Sequence, residues 1–273
     1  MKKLLIGVVI GLVLVLAIAS VAAAITNGQP DGDNHPYVGL LVFDADIPDV
    51  GVVPAWRCSG ALIAPNVVLT AGHCTDGAVA ARVWFDEVVQ GNPEYPFSGA
   101  TSYDGIPYTN PGFCIGCGNG LPGFAIRDVG VVVLSEPVPT SVVSEYAQLP
   151  AAGLVDTLKN KTGVDLVGYG VQEQIHGGGP PVWAGLRVRL YAPSELVSGK
   201  FVHSAEFMRL ALNPGGGSGG TCFGDSGGPD LLGGSDTVLA VNSYVTNSNC
   251  SGVGYSSRVD IPEVLEWIEG FLP

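Results

Sequence analysis

Three short segments of the chain carry the side chains that acyl transfer to a serine requires. Ser226 lies among glycines in residues 224–228, where the backbone can turn sharply and present a hydroxyl group. His73 follows one apolar run of the sequence, and Asp128 precedes another. A serine hydroxyl attacks a carbonyl when a nearby base accepts its proton and an acid holds that base in the correct tautomer. The pattern therefore predicts Ser226 as nucleophile, His73 as general base and Asp128 as the acid that orients the base.

The motifs around these three residues, in the order histidine, aspartate, serine, resemble those of the trypsin and chymotrypsin family. Residues 59–63 resemble the family's strand before the catalytic histidine, and residues 166–170 resemble a segment that usually carries Trp where Tyr169 stands. The resemblance extends over nearly all of the chain after residue 24. It implies a serine endopeptidase with an all-β fold of two six-stranded antiparallel β-barrels and the active site in the cleft between them.

The same resemblance implies roles for neighbouring residues. The backbone N–H groups of Gly224 and Ser226 would form the oxyanion hole, and Ser243 would lie against Asp128. Fixed donors aimed at a developing negative charge are commonly worth about 3 kcal/mol each. Two disulfides are also implied, one between Cys58 and Cys74 and one between Cys222 and Cys250.

The primary specificity pocket is implied at Gly220, which would form its base, with Val245 and Gly254 on its walls. A carboxylate at the base would select Lys or Arg, and the chain has none at this position. If Val245 enters the pocket, the pocket is shallow and apolar. We therefore expect cleavage after small or medium apolar residues.

The first residues differ in character from the rest of the chain. Two lysines are followed by an apolar run over residues 4–19 and by small residues over 20–24, which is the order of a signal peptide. This predicts a signal peptide at residues 1–24, a protease domain at residues 25–273 and a secreted product. The alternative is an uncleaved anchor, because the apolar run is just long enough to span a bilayer. Only in that case would the protein contact a membrane.

The resemblance also implies that activity needs a free amine on Ile25, which would insert beside Asp225 and order the oxyanion loop. Ile25 directly follows the small residues that a signal peptidase recognises. Our hypothesis is that the signal peptidase itself exposes this amine. A buried ion pair of this kind is costly to break, because one charge is then left unpaired.

The distribution of glycine and proline predicts short strands rather than long helices. The 40 Gly and 20 Pro are scattered without a repeat between short apolar runs. Residues 261–268 alone have apolar residues at helical spacing behind a proline, which predicts a short C-terminal helix. Residues 91–124 contain five prolines in loop-like contexts, so we expect a surface loop there.

Charge and histidine spacing bear on partners and cofactors. A net charge of −13 with only 12 Lys and Arg argues against nucleic acid as a partner. His35, His176 and His203 have no companion ligands at metal spacing, so neither a metal nor another cofactor is expected. The expected partners are protein or peptide substrates of a monomer.

Cys114 and Cys117 form a C-x-x-C pair that departs from the family's pattern. Such a pair can mean redox chemistry or half a zinc site. An exported chain without a second C-x-x-C argues against both, so we expect a local disulfide.

Two other functions remain as alternatives. One is a protease-like binding protein, which would require a decayed triad, whereas all three residues are intact here. The other is an α/β-hydrolase esterase, because residues 224–228 also satisfy G-x-S-x-G. That fold places its serine before the acid and histidine, which is the wrong order for this chain.

Overall fold

The structure, a computed structural model, describes residues 25–26, 28–117, 125–171, 173–175, 182–197, 204–212 and 219–273. The predicted signal peptide at residues 1–24 lies outside the described residues. Within them, no helix is both long and apolar enough to cross a membrane. The strands are β1 (Gln29–Pro30), β2 (Val38–Ile47), β3 (Gly51–Ala64), β4 (Val67–Thr70), β5 (Ala80–Trp84), β6 (Ser102–Thr109), β7 (Cys114–Ile115), β8 (Ala125–Ile126), β9 (Gly130–Leu134), β10 (Gly163–Gly168), β11 (Glu173–Ile175), β12 (Val182–Ala184), β13 (Leu190–Glu195), β14 (Phe207–Leu212), β15 (Pro229–Leu232), β16 (Val238–Val245) and β17 (Gly252–Arg258). The helices of the described residues are α1 (Gly72–Thr75) and α2 (Pro262–Glu269), and Leu154–Thr157 forms a 3₁₀ turn.

The first half of the chain forms a closed antiparallel barrel with the strand order β2-β3-β4-β9-β6-β5. Its strands are rich in Val and Leu, and these residues pack into one continuous core. The register aligns Thr70 at the end of β4 with Gly130 at the start of β9. Residues that follow β4 and residues that precede β9 therefore meet at the same end of the barrel.

One sequence expectation about this barrel is wrong. Residues 91–124 were expected to be surface loop, yet they contain β6, a full strand of the barrel. Pro107 is tolerated because β6 pairs with β5 only as far as Gly105, while the rest of the strand pairs with β9. Proline cannot donate a ladder hydrogen bond, and here it stands where one side of the strand has no partner.

The second half forms a seven-stranded antiparallel sheet with the order β1-β13-β10-β15-β16-β17-β14. The expected second barrel of six strands is therefore only partly formed. The end strand β1 has two residues and pairs with the start of β13, at Leu190 and Tyr191. A single bridge between Leu196, just after β13, and Leu210 of β14 brings the two sides of the sheet together. The all-β architecture itself is confirmed.

The chain ends in the expected helix. α2 begins at Pro262, which suits the first turn because proline lacks the N–H that this position leaves unbonded. Val264, Leu265 and Ile268 share one buried face and pack against the core that includes the first barrel.

Candidate active site

His73 and Asp128 meet at the end of the first barrel. His73 lies in α1 directly after β4, and Asp128 lies two residues before β9. The Nδ1 atom of His73 is 2.8 Å from Asp128 Oδ2, and the His73 backbone N–H donates to Asp128 Oδ1 at 2.7 Å. The Asp128 side chain is 1% exposed and that of His73 is 31% exposed. A buried carboxylate thus holds an imidazole whose other side is open.

Ser243 completes the shell around this carboxylate. Its hydroxyl donates to Asp128 Oδ2 at 2.5 Å. Burial by itself lowers the pKa of His73, but the charge of Asp128 and its hydrogen bond to the ring outweigh this effect and leave the pKa above its usual value. The site therefore favours the imidazolium form that a general base produces when it accepts a proton.

The turn that carries Ser226 packs against the segment leading to His73. The Ser59 backbone N–H donates to the Ser226 carbonyl at 2.8 Å. Gly227 has a φ of 76°, and a β-carbon there would lie 2.0 Å from Thr70 Oγ1, so only glycine fits. Half-buried Ser226 lines a cleft of about 160 Å³ that Ser243 also lines.

No hydrogen bond joins Ser226 to His73, although the structure describes both residues. The Nε2 atom of His73 instead lies 3.7 Å from Cys74 Sγ. Hydrogen bonds between catalytic groups are often long or absent without substrate and tighten in the complex. The backbone contacts bring the two segments together, while the final nucleophile-to-base contact is not made.

The backbone N–H groups of Gly224 and Ser226 lack acceptors among the described residues. Their neighbours do have them: the Asp225 N–H donates to the Cys222 carbonyl at 3.0 Å, and the Gly227 N–H donates to the Asn242 carbonyl at 2.8 Å. Gly224 has a φ of 95°, which glycine adopts without strain. Two unbonded donors beside a serine hydroxyl can receive an oxyanion.

Three disulfides join the six cysteines. They pair Cys58 with Cys74, Cys222 with Cys250 and Cys114 with Cys117. The first fixes the residue after His73 to β3, and the second ties the chain before Ser226 to the loop after β16. The third closes a local loop between β7 and β8, as expected.

The cleft beside Ser226 contains only one of the three residues expected in the specificity pocket. Val245 lines it, whereas Gly220 and Gly254 do not. A β-carbon on Gly220 would lie 3.0 Å from Leu212 Cβ, and one on Gly254 would lie 3.1 Å from Leu212 Cδ1. Leu212, which is fully buried, therefore occupies the space in front of both glycines.

Comparison with known proteins decides the family. A family model described as Trypsin matches residues 29–268. The chain belongs to the trypsin family. It is thus a relative of hydrolases that act on protein or peptide substrates.

Two relatives and one solved structure are similar to this trypsin-family chain at low sequence identity. Serine protease 1 of Drosophila melanogaster is 24% identical over 253 residues, which cover 92% of this chain and 86% of the relative. Chymotrypsin-like elastase family member 3B of Homo sapiens is 28% identical, with 71% of this chain and 70% of the relative covered. The structure of HL collagenase superimposes with a TM-score of 0.66 at 20% identity and covers 90% of this chain and 97% of that one.

Among the described residues of the trypsin-family chain, two backbone N–H groups donate to the Asp225 carboxylate. The Gly170 N–H donates to Oδ1 at 2.8 Å, and the Cys222 N–H donates to Oδ2 at 2.9 Å. Burial raises the pKa of Asp225 to about 7, although these two bonds and the charge of Arg57 oppose the shift. Ile25 is fully buried and packs in the hydrophobic cluster of the second sheet.

One group of potential metal ligands exists within the described part of the chain, formed by Cys58, His73 and Cys74. The two cysteines are joined in a disulfide and so offer no thiolate. The group leaves one imidazole, which is too few ligands for a structural metal site.

Three further residues were not identified from the sequence. Leu212 packs against Gly220 and Gly254, Arg57 lies beside Gly224, and Asp230 is fully buried in β15 between β10 and β16. Leu212 ends an apolar run over 207–212 that could have been predicted as a strand. The other two carried no local signal, because each acts through contacts distant in sequence.

Proposed function

We propose that this protein is a secreted serine endopeptidase with Ser226 as nucleophile, His73 as general base and Asp128 as the orienting acid. The observation that carries the proposal is the pair of hydrogen bonds from His73 to buried Asp128, at 2.7 and 2.8 Å. With its Nδ1–H donated to Asp128, the ring keeps the Nε2 lone pair free to accept a proton.

The reaction follows from these roles. As the Ser226 oxygen attacks the substrate carbonyl, its proton passes to His73 Nε2, and the carbonyl oxygen becomes an oxyanion bound by the N–H groups of Gly224 and Ser226. His73 then gives the proton to the leaving amine as the peptide bond breaks, which leaves an acyl-enzyme. Water repeats the sequence and releases the acid, with His73 again accepting and returning a proton.

A fluorophosphonate probe tests the proposal, since it forms a covalent bond only with an activated serine and releases fluoride. We expect the processed protein to be labelled and Ser226→Ala to lose the label. Ser235→Ala is the matched control, because the Ser235 hydroxyl bonds locally in a turn, donating to the Leu232 carbonyl and accepting from the Thr237 N–H. If the correctly processed wild-type protein takes up no label, a protease-like binding protein replaces the enzyme.

We further propose cleavage after small or medium apolar residues. Supporting this preference, Leu212 occupies the space in front of Gly220 and Gly254, and Val245 lines the cleft. An apolar wall of this kind offers no partner for a cationic side chain. Peptides that differ only in the residue before the scissile bond test this preference, and fastest turnover of the Arg peptide would refute it.

The signal peptide, the activating terminus and the monomeric state belong to the same proposal. Three disulfides suit an oxidising compartment, and one chain supplies every residue of the site. We propose that removal of residues 1–24 frees the Ile25 amine, which then pairs with Asp225. N-terminal sequencing of the active secreted protein tests this, and a start at any residue other than Ile25 contradicts it.

A further inference from the structure

Arg57 is a half-buried arginine for which the described residues supply no carboxylate within 4.0 Å. Arg82, Arg127, Arg189 and Arg258 each lie within 4.0 Å of a carboxylate. Arg57 forms neither an ion pair nor a side-chain hydrogen bond with any residue in the described ranges. In a chain with 25 Asp and Glu, an arginine without such a partner is an available anion-binding group.

The guanidinium of Arg57 lies directly beside the turn at residues 224–226, which carries the two proposed oxyanion donors and is called the oxyanion turn below. A β-carbon on Gly224 would lie 3.5 Å from Arg57 Nε, and one on Gly185 would lie 2.5 Å from Arg57 Nη2. The guanidinium fits there because neither neighbour has a side chain. A substrate carbonyl bound to the Gly224 N–H would therefore lie close to this guanidinium. We expect the guanidinium to reach groups one or two residues away from that carbonyl along the substrate.

Arg57 does not use its hydrogen-bond donors to hold Asp225. Its positive charge does lower the pKa of Asp225, but the two carboxylate oxygens accept their hydrogen bonds from Gly170 and Cys222. No ion pair joins the two side chains within 4.0 Å in the part of the chain described. The guanidinium therefore retains its donors for another acceptor.

The position of Arg57 indicates which part of a bound substrate would lie near its guanidinium. The cleft that would hold the residue before the scissile bond is lined by residues of the second sheet and its loops, at 221–223, 226 and 242–245. Arg57 belongs to β3 of the first barrel and lines a separate groove of about 280 Å³ with Trp56, Tyr95 and Pro96. Arg57 therefore lies beside Gly224 on the first-barrel side, outside the cleft that would hold the residue before the scissile bond, so we expect it to meet the residues after that bond.

We propose that Arg57 is a specificity residue that binds a carboxylate on the leaving-group side of the substrate. The carboxylate belongs either to an Asp or Glu side chain at the first or second residue after the scissile bond, or to the free terminus of a short substrate. Arg is suited to this task because its planar fork can bind both oxygens of a carboxylate. The inference rests on the proposed endopeptidase function.

The test compares kcat/KM for peptides that share their acyl part and differ after the scissile bond. One set has Glu or Gln at the first or second position, and another ends at the second position as a free acid or an amide. Because Arg57 is partly exposed, we expect a preference for the carboxylate of about threefold to tenfold. The two sets distinguish a side-chain carboxylate from a terminal one.

Substitution links the preference to Arg57. We expect Arg57→Gln to remove the preference, so that within this variant each carboxylate peptide is cleaved with the same kcat/KM as its Gln or amide counterpart. Lys159→Gln is the control, because it changes the net charge equally at an exposed residue that lines neither cleft. If Arg57→Gln does not fold, Arg57→Lys should keep part of the preference, and the wild-type preference should shrink as salt rises from about 0.05 to about 0.5 M.

Three results would overturn the inference. The wild type could cleave all paired peptides equally, or Arg57→Gln could retain the preference. Arg57→Gln could also lower kcat on every peptide alike, which would mean that Arg57 supports the oxyanion turn instead. Each of these leaves the endopeptidase function intact, whereas a wild-type protein that cleaves no peptide and takes no fluorophosphonate label refutes that function itself.

Discussion

Asp128 accepts three hydrogen bonds at the site, one each from the His73 backbone, the His73 ring and the Ser243 hydroxyl. These donors fix the carboxylate and determine which ring nitrogen of His73 carries the proton. The charge of Asp128 also raises the pKa of His73 above its usual value. One buried residue therefore controls both the orientation and the protonation of the base.

Asp128→Asn tests this dual control. We expect kcat to fall by about 10³- to 10⁴-fold, because an amide that donates to Nδ1 would leave the proton on Nε2. Activity requires neutral His73, so kcat/KM should rise as the pH rises through the pKa of His73. Without the charge of Asp128 that pKa falls, and the acid limb of the residual activity should move to lower pH.

The control for this change is Asp236→Asn, which alters a carboxylate bonded to Tyr37 away from the site. It should leave both kcat and the acid limb unchanged. An acid limb that stays in place in Asp128→Asn would mean that Asp128 does not determine the pKa of His73.

At the scale of elements, a buried arginine joins the two halves of the fold. Arg189, just before β13, donates to Asp31 Oδ2 at 2.8 Å and to the carbonyls of Phe85 and Gly32 at 2.9 and 2.7 Å. It also donates to Tyr169 Oη at 3.3 Å. Burial raises the pKa of Asp31, but His35 and Arg189 outweigh this effect and leave it below its usual value. Through the carbonyl of Phe85, which directly follows β5, Arg189 connects the second sheet to the first barrel.

Arg189→Met should destabilise the protein by about 3–5 kcal/mol, because Asp31 would be left buried with one fewer cation. Urea unfolding measures this change, best on a Ser226→Ala background that cannot digest itself. Arg187→Met is the matched control, since Arg187 stacks on Tyr95 at 4.5 Å and pairs with no described acid. Adding Asp31→Asn to Arg189→Met should recover part of the loss. A single variant within about 1 kcal/mol of the parent would contradict this account.

The contrast between these residues explains what the sequence could predict. The segments around His73, Asp128 and Ser226 have short, recognisable motifs. The family and the all-β fold could therefore be predicted from the sequence. Arg189 and Asp31 are 158 residues apart in the sequence and come together only through tertiary packing. No local sequence pattern could therefore predict this ion pair.

Two features of the structure, the strand β6 and the contacts of Leu212, were not predicted, for similar physical reasons. β6 was missed because Pro107 argues against a strand unless one edge is known to be unpaired. Leu212 was missed because its contact with Gly220 and Gly254 depends on which side chain points toward these glycines. Sequence spacing does not contain that direction.

The whole chain has a net charge of −13, and some of its acids, among them Asp225 and Asp230 in the second half, are fully buried. Asp230 is fully buried, and neither of its oxygens meets hydrogen-bond geometry with a described residue. Burial raises the pKa of Asp230 to about 8, with the nearby Ser256 hydroxyl opposing the shift and the charge of Asp225 adding to it. The folded protein thus keeps Asp230 protonated at pH values where the unfolded chain does not.

This difference makes stability depend on pH. Between the usual pKa of 3.8 and about 8, the folded state binds one more proton at Asp230 than the unfolded state. Stability from this group is therefore present below the lower value and is lost as the pH rises toward the higher one. For one such group the free energy of unfolding falls by up to about 1.4 kcal/mol per pH unit.

Asp230→Asn removes this titration while keeping the size of the side chain. On a Ser226→Ala background, we expect the free energy of unfolding of the parent to fall more steeply than that of Asp230→Asn between about pH 5 and pH 8. The curves should therefore converge or cross as the pH rises, because the neutral amide avoids the cost of a buried charge. Asp49→Asn, at an exposed hairpin tip, should leave the slope unchanged. Parallel curves for the parent and Asp230→Asn would mean that Asp230 is ionised in the folded protein and that a cation balances it there.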